Sequence, residues 1–227
     1  NKSTVHRLLG TLEKKRFVQR DPVTGIYQPG IRLLQMAYLT LQHNNLRHLA
    51  LPIMRRLCEK HHENVNLAVL DDTDVVYVDV VESPLHVKLA ASAGQRLPAF
   101  CTASGKAILA FLPENKVKEI LKKGIKTYTQ STITSQEKYF ESMRISRKQG
   151  FALSEQEFED GIDAVAAPIL DQNGLPIGSL SIAGPAFRLT RERMMEFGPD
   201  VQAAGKELAR DLLMAGALQE NPNNKTL

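Results

Sequence analysis

The chain is poor in cysteine, has no long apolar run and carries none of the short motifs of the common enzyme classes. Its two cysteines, Cys58 and Cys101, have no metal-type spacing, which leaves a disulfide framework or a zinc knuckle without material. They read as small buried apolar side chains in a reducing cytoplasm. No apolar run approaches the ~18–20 residues needed to span a bilayer, so no membrane partner is expected. A G-x-S-x-G elbow, paired catalytic carboxylates, a P-loop and a dinucleotide fingerprint are all missing. No catalytic residue, metal ligand or cofactor is therefore assigned.

What is present is an ordinary globular composition with an uneven charge. The 227 residues are 43% hydrophobic and 24% charged, enough for a packed core. The formal net charge of +4 lies wholly in residues 1–30, where six basic residues face only Glu13 and Asp21. Such asymmetry points to a polyanion as partner of the first thirty residues.

Spacing gives that segment a shape. Val5, Leu8, Leu9 and Leu12 fall on one face of a helix, with Asn1 suited to cap it. The opposite face presents Lys2, Ser3, His6 and Arg7, with Thr4 in the same first turn, all able to reach phosphates or base edges. "FVQRDPVTGIYQ" follows as strand, turn and strand, with Arg20 on the first strand. A helix followed by a basic β-hairpin is the second half of a winged helix-turn-helix, residues 1–29.

From Gly30 the pattern is helical. Ile31, Leu34, Ala37, Tyr38 and Leu41 share a face, giving a linker helix over 30–45 with a joint at Asn44 and Asn45. Pro52 is expected to restart a second helix in its first turn. His61 and His62 are adjacent, point about 100° apart, and read as a solvated helix end rather than a metal pair. "NVNLAVLDDTDVVYVDVVES" predicts two strands joined by a polar turn, and "HVKLAASAG" a third that begins at His86. A helix begins at Ala103, with Thr102 as its cap and the amides of Ala103, Ser104 and Gly105 free. Helices are expected near 114–123 and 136–149, then a short strand and a hairpin turning at "DQNG". A last helix runs from a Thr190 cap to about Ala215, with a tail over 216–227. Hairpin-linked strands flanked by helices imply an antiparallel α+β domain over 46–215.

The stretch "KSTVHRLLGTLEKKRFVQRD…GIYQPG" resembles the DNA-binding end of the IclR family of bacterial transcriptional regulators. There a helix S-T-x-x-R-L-L precedes a wing ending in Y-x-L-G. Arg16 stands where that family usually has Gly, and Pro29 where it often has Leu. "GQRLPAFCTASGKAILAFLP" and "GFALSEQEFEDGIDAVAAPILDQNGLPIGSLSIAGP" resemble the family's R-x-P…A-x-G-K-A and G-[YF]…A-x-P-[IV]-x-D segments. The resemblance covers nearly the whole chain. It implies a winged-helix domain whose first two helices precede Asn1, followed by a GAF-like antiparallel sheet that holds a small-molecule pocket.

Carried over position by position, the resemblance implies an effector site of Leu89, Leu97, Ala103, Ser104, Ser154, Ile162, Ala164, Ser181 and Ala183. Ser154 replaces an Asp of well-known members; Ala164 and Ala183 replace Cys and Ser. Fewer polar anchors suit a more apolar or differently substituted ligand. The implied function is a ligand-responsive repressor that binds operator DNA and senses a small organic acid. Two-fold use of one short recognition helix implies a homodimer, or a dimer of dimers. Two other classes stand beside it: a sensor module acting through protein partners, and an enzyme using Cys101, which lies just before a helix start.

Overall fold

Hairpins and capped helices organise two units, Asn1–Asn45 and one that begins at Leu46. The computed structural model describes residues 1–42, 45–123 and 125–216, and the side chains of 37–42 lie outside that description. Residues 217–227 of the expected tail, and Asn44 of the expected joint, fall outside it as well.

In the first unit α1 spans Lys2–Lys14. Asn1 sits at its N-cap, but its side chain accepts from the Ser3 hydroxyl at 3.2 Å instead of from a backbone amide. The chain then turns through Arg16 at φ +61°, the left-handed conformation that glycine adopts most easily. The turn holds because the Arg16 carbonyl accepts from Arg32 N at 3.0 Å and Gly30 packs against it. A Cβ on Gly30 would lie 2.3 Å from that oxygen. Strands β1 (Val18–Arg20) and β2 (Tyr27–Pro29) form an antiparallel ribbon. The Asp21 carboxylate closes their turn by accepting from Val23 N and Thr24 N, bonds that hold its pKa below the usual range. Helix α2, Ile31–Gln42, follows. Within this unit the apolar stripe of α1 is not buried; Val5 and Leu8 are exposed.

Helix α3 runs without a break from Asn45 to His61, all but its first residue in the second unit, so Pro52 does not restart a helix. A proline removes one i to i−4 bond. Buried Ala50, Ile53, Met54, Leu57 and Cys58 fasten the helix to the core on both sides of it. His61 is buried and only His62, at φ +58°, is exposed, which corrects the expectation of a solvated end.

Strands β3 (Asn64–Asp71), β4 (Asp74–Val81), β5 (Arg96–Pro98), β6 (Ala152–Glu155), β7 (Ile162–Leu170) and β8 (Pro176–Pro185) form one antiparallel sheet. Its order is β5-β4-β3-β8-β7-β6. The strand expected at 86–94 is absent, and His86 lies in an irregular segment. That segment is held by side chains in place of a ladder: Asn64 donates to the Leu89 carbonyl and Arg188 to that of Val87, each at 2.9 Å.

The sheet is covered on both faces. One carries α3 and α7 (Arg191–Met214), with Leu208 of α7 packed over Leu67, Val165 and Ile182, all at 0% exposure. Each such side chain contributes about 1.5–3 kcal/mol by leaving water. The other carries α4 (Ala103–Leu109), α5 (Glu114–Lys122) and α6 (Gln136–Gln149), with Ile108 of α4 packed in one cluster with Ala68, Val75 and Tyr77 of the sheet. The architecture is α+β, as the sequence implies.

Candidate functional site

The polar face of α1 is open. Lys2, Ser3, Thr4, His6 and Arg7 are all exposed, and no carboxylate pairs with Lys2 or Arg7 among the described residues. Arg20 is exposed but partly committed. Its Nε donates to Gly25 O at 3.0 Å, and its guanidinium lies 5.9 Å from the Tyr27 ring centre, bracing the turn of the ribbon.

In the second unit all nine positions of the expected effector site border one cavity of about 70 Å³. Leu89 comes from the irregular segment and Leu97 from β5. Ala103 and Ser104 open α4, and Ser154 lies on β6. Ile162 and Ala164 come from β7, Ser181 and Ala183 from β8. The β7–β8 register sets Ala164 against Ala183, and the β3–β8 register sets Asn66 against Ser181. The volume is far below the ~300–1,000 Å³ of drug-sized sites, so an occupant must be compact. A larger and more open groove of about 830 Å³, between Phe111, Phe140, Met143 and Leu175, contains none of these positions.

The small residues at the start of α4 have two different causes. A Cβ on Gly105 would stand 2.0 Å from the carbonyl oxygen of Ala99, so that glycine is required by backbone packing and not by a ligand. Its amide is not free either, since it donates to the Thr102 hydroxyl at 3.3 Å. Ala103 and Ser104 retain amides without a protein acceptor among the described residues. The cavity wall is fixed by a buried ion pair, Lys106 Nζ with Glu157 Oε1. Hydroxyls of Thr129 and Thr132 donate to the carbonyls of Gln156 and Glu157 at 2.6 and 2.7 Å. The turn that carries Phe158 and Glu159 to the cavity is thereby tied to α4.

Sequence reasoning missed Tyr77, Gln95, Phe158 and Glu159, which also border the cavity. The alternation of Val75 and Tyr77 marks a buried face of β4 but does not place Tyr77 at a cavity. The other three come from turns that carry no such signal. The Tyr77 ring is buried, its hydroxyl has no protein partner among the described residues, and burial pushes its pKa up to about 12. Cys101 is 0% exposed and burial likewise pushes its thiol up to about 12, which leaves it a neutral thiol near neutral pH. Among the described residues no cluster of three or more His, Cys, Asp or Glu could hold a metal, and no helix is long and apolar enough to cross a membrane.

Residues 38–210 match the family model of the bacterial transcriptional regulator IclR C-terminal domain, and residues 1–22 the IclR helix-turn-helix domain. The chain belongs to the IclR family of bacterial transcriptional regulators. The transcriptional repressor IclR of Escherichia coli is 35% identical over 209 residues, 91% of this chain and 76% of that protein. The crystal structure of Thermotoga maritima IclR superposes with a TM-score of 0.77 at 33% identity, covering 93% of this chain and 86% of that one. An IclR homologue from Microbacterium hydrocarbonoxydans, solved with 4-hydroxybenzoate, gives 0.79 at 24% identity, over 94% and 87% of the two chains, a likeness of fold. The helix-turn-helix match falls on α1 and the first strand of the ribbon, and the C-terminal match spans the antiparallel α+β domain.

Proposed function

We propose that this IclR-family regulator is a repressor whose first 29 residues hold operator DNA and whose domain over 46–215 is switched by a small organic acid. The observation that carries the effector half is convergence: nine positions from five elements and one loop border a single compact cavity. Residues 30–45 form the linker between the two, and the working form is a cytoplasmic homodimer or a dimer of dimers. Lys2, Ser3, Thr4, His6, Arg7 and Arg20 face the DNA. Ligand binding changes the spacing of paired DNA-binding domains.

Repression is favoured because curated relatives carry that name, among them the acetate operon repressor of Salmonella typhimurium. A regulatory and not a catalytic role is supported by the neutral, fully buried Cys101. The test is a thermal-melt screen of small organic acids, followed by an operator-shift assay with each hit. A ligand that raises the melting temperature and releases DNA supports the reading. Absence of any stabilising acid, or DNA binding with no salt dependence, overturns it.

A further inference from the structure

The cavity's hydrogen-bonding groups differ in what they offer a ligand. Ser154 is 5% exposed and its Oγ donates to the carbonyl oxygen of Cys101 at 3.0 Å. A carbonyl cannot donate, so the Ser154 proton is spent, and toward the cavity this oxygen offers only lone pairs. Tyr77 and Ser104, 5% and 2% exposed, have hydroxyls with no protein partner among the described residues. Ser181 Oγ accepts from the Asn66 amide at 3.2 Å, which leaves its own proton available. Among the described residues no Lys, Arg or His borders the cavity, and Glu159 adds a carboxylate at its exposed side.

We infer that the cavity selects a compact 2-hydroxy carboxylic acid over the matching 2-oxo acid, with Ser154 accepting from the ligand hydroxyl and Tyr77 and Ser104 donating to the carboxylate. This rests on the reading of the cavity as an organic-acid site. An oxo acid would set its keto oxygen against the lone pairs of Ser154, acceptor facing acceptor in a buried place. Turning the Ser154 proton toward that ligand would take it from a buried carbonyl, which is itself unfavourable. A hydroxyl meets the same oxygen with a proton. Sites built around a buried hydrogen bond reject analogues that lack the matching group.

The experiment is calorimetric titration of the full chain with each enantiomer of lactate and with pyruvate. Glyoxylate is a poor probe because its hydrate presents hydroxyls. One lactate enantiomer should bind at least ~10-fold more tightly than pyruvate, as expected for one matched buried hydrogen bond. Ser154→Ala should bring the two acids close together, and Ser154→Thr should keep the preference. Tyr77→Phe should weaken both acids alike. Pyruvate binding as tightly as lactate overturns the inference and leaves the organic-acid reading intact, as does a preference that survives Ser154→Ala. If neither lactate enantiomer nor pyruvate binds, this inference fails, and the organic-acid reading is decided separately by the thermal-melt screen. The lactate–pyruvate comparison on the unaltered chain stands even if a variant does not fold.

Discussion

His61 packs against Phe197 with ring centres 3.9 Å apart and planes tilted by 42°, while its Nε2 lies 3.1 Å from the Asp200 carboxylate. One side chain thus joins the end of α3 to α7 by both an apolar and a polar contact. Lys60 reaches the same Asp200 oxygen at 2.6 Å. Burial lowers the His61 pKa below 6.5 and outweighs the opposing pull of Asp200.

The sign of the pH effect follows. The unfolded chain takes up the His61 proton near 6.5, and the folded chain only at lower pH. The stability contributed by neutral His61 is present above that value and is lost as pH falls through it toward the folded pKa. The melting temperature should therefore decline below about pH 6.5. His61→Gln should flatten that part of the curve relative to the unaltered chain. An identical pH profile in the variant would assign the slope to other groups.

Arg7 is exposed opposite the Val5–Leu8–Leu9–Leu12 stripe and has no carboxylate partner among the described residues. Arg7→Ala should leave the melting curve unchanged and weaken operator binding. Loss of a phosphate contact lowers the salt slope by about one, whereas loss of a base contact costs ~1–3 kcal/mol and relaxes specificity. Equal affinity at every salt concentration would remove Arg7 from the DNA face.

Local chemistry was readable where one residue decides a boundary. The hydroxyls of Thr190 and Thr102 cap α7 and α4 by accepting from Arg193 N and Gly105 N. Asp171 and Gly174, at φ +74°, turn the β7–β8 hairpin. What tertiary contacts decide was not readable. The apolar beat of Val87 and Leu89 looks like a strand, yet Asn64 and Arg188 hold it by its carbonyls from elsewhere in the chain. Tyr77 reaches the cavity through pairing with Ala68 just after a bulge at Leu67/Ala68, and no spacing in the sequence announces a bulge. The motif glycine Gly105 could be read as room for a ligand; only the approach of Ala99 shows that it makes room for backbone.

Lys106 and Glu157 are a buried pair, with side chains 5% and 7% exposed. Burial raises the Glu157 pKa, with Lys106 pulling against it. Removing one partner leaves an uncompensated group in the core, so Lys106→Met should destabilise the fold by ~3–5 kcal/mol in urea unfolding. The double change Lys106→Met with Glu157→Leu should recover much of that loss. It should also loosen the turn carrying Phe158 and Glu159, read as faster amide exchange at 156–161. A double variant no more stable than Lys106→Met alone would show that the pair is not the source of the penalty.

Ala103 borders the cavity at 2% exposure and packs with Ala107, Ala152 and Ala166. Leucine there has two separable consequences. Added methylenes among alanines overpack the site and should lower stability by ~1–3 kcal/mol. The same atoms fill a cavity of only about 70 Å³, so the effector should no longer raise the melting temperature. Operator binding without ligand should persist, because Ala103 lies in the second unit and the proposed DNA face in the first. Thermal melts with and without effector, followed by an operator-shift assay, separate the two effects. A variant that loses stability but keeps the full ligand-induced shift would place the effector elsewhere, and would remove Ser104, Ser154 and Ser181 from the site along with Ala103.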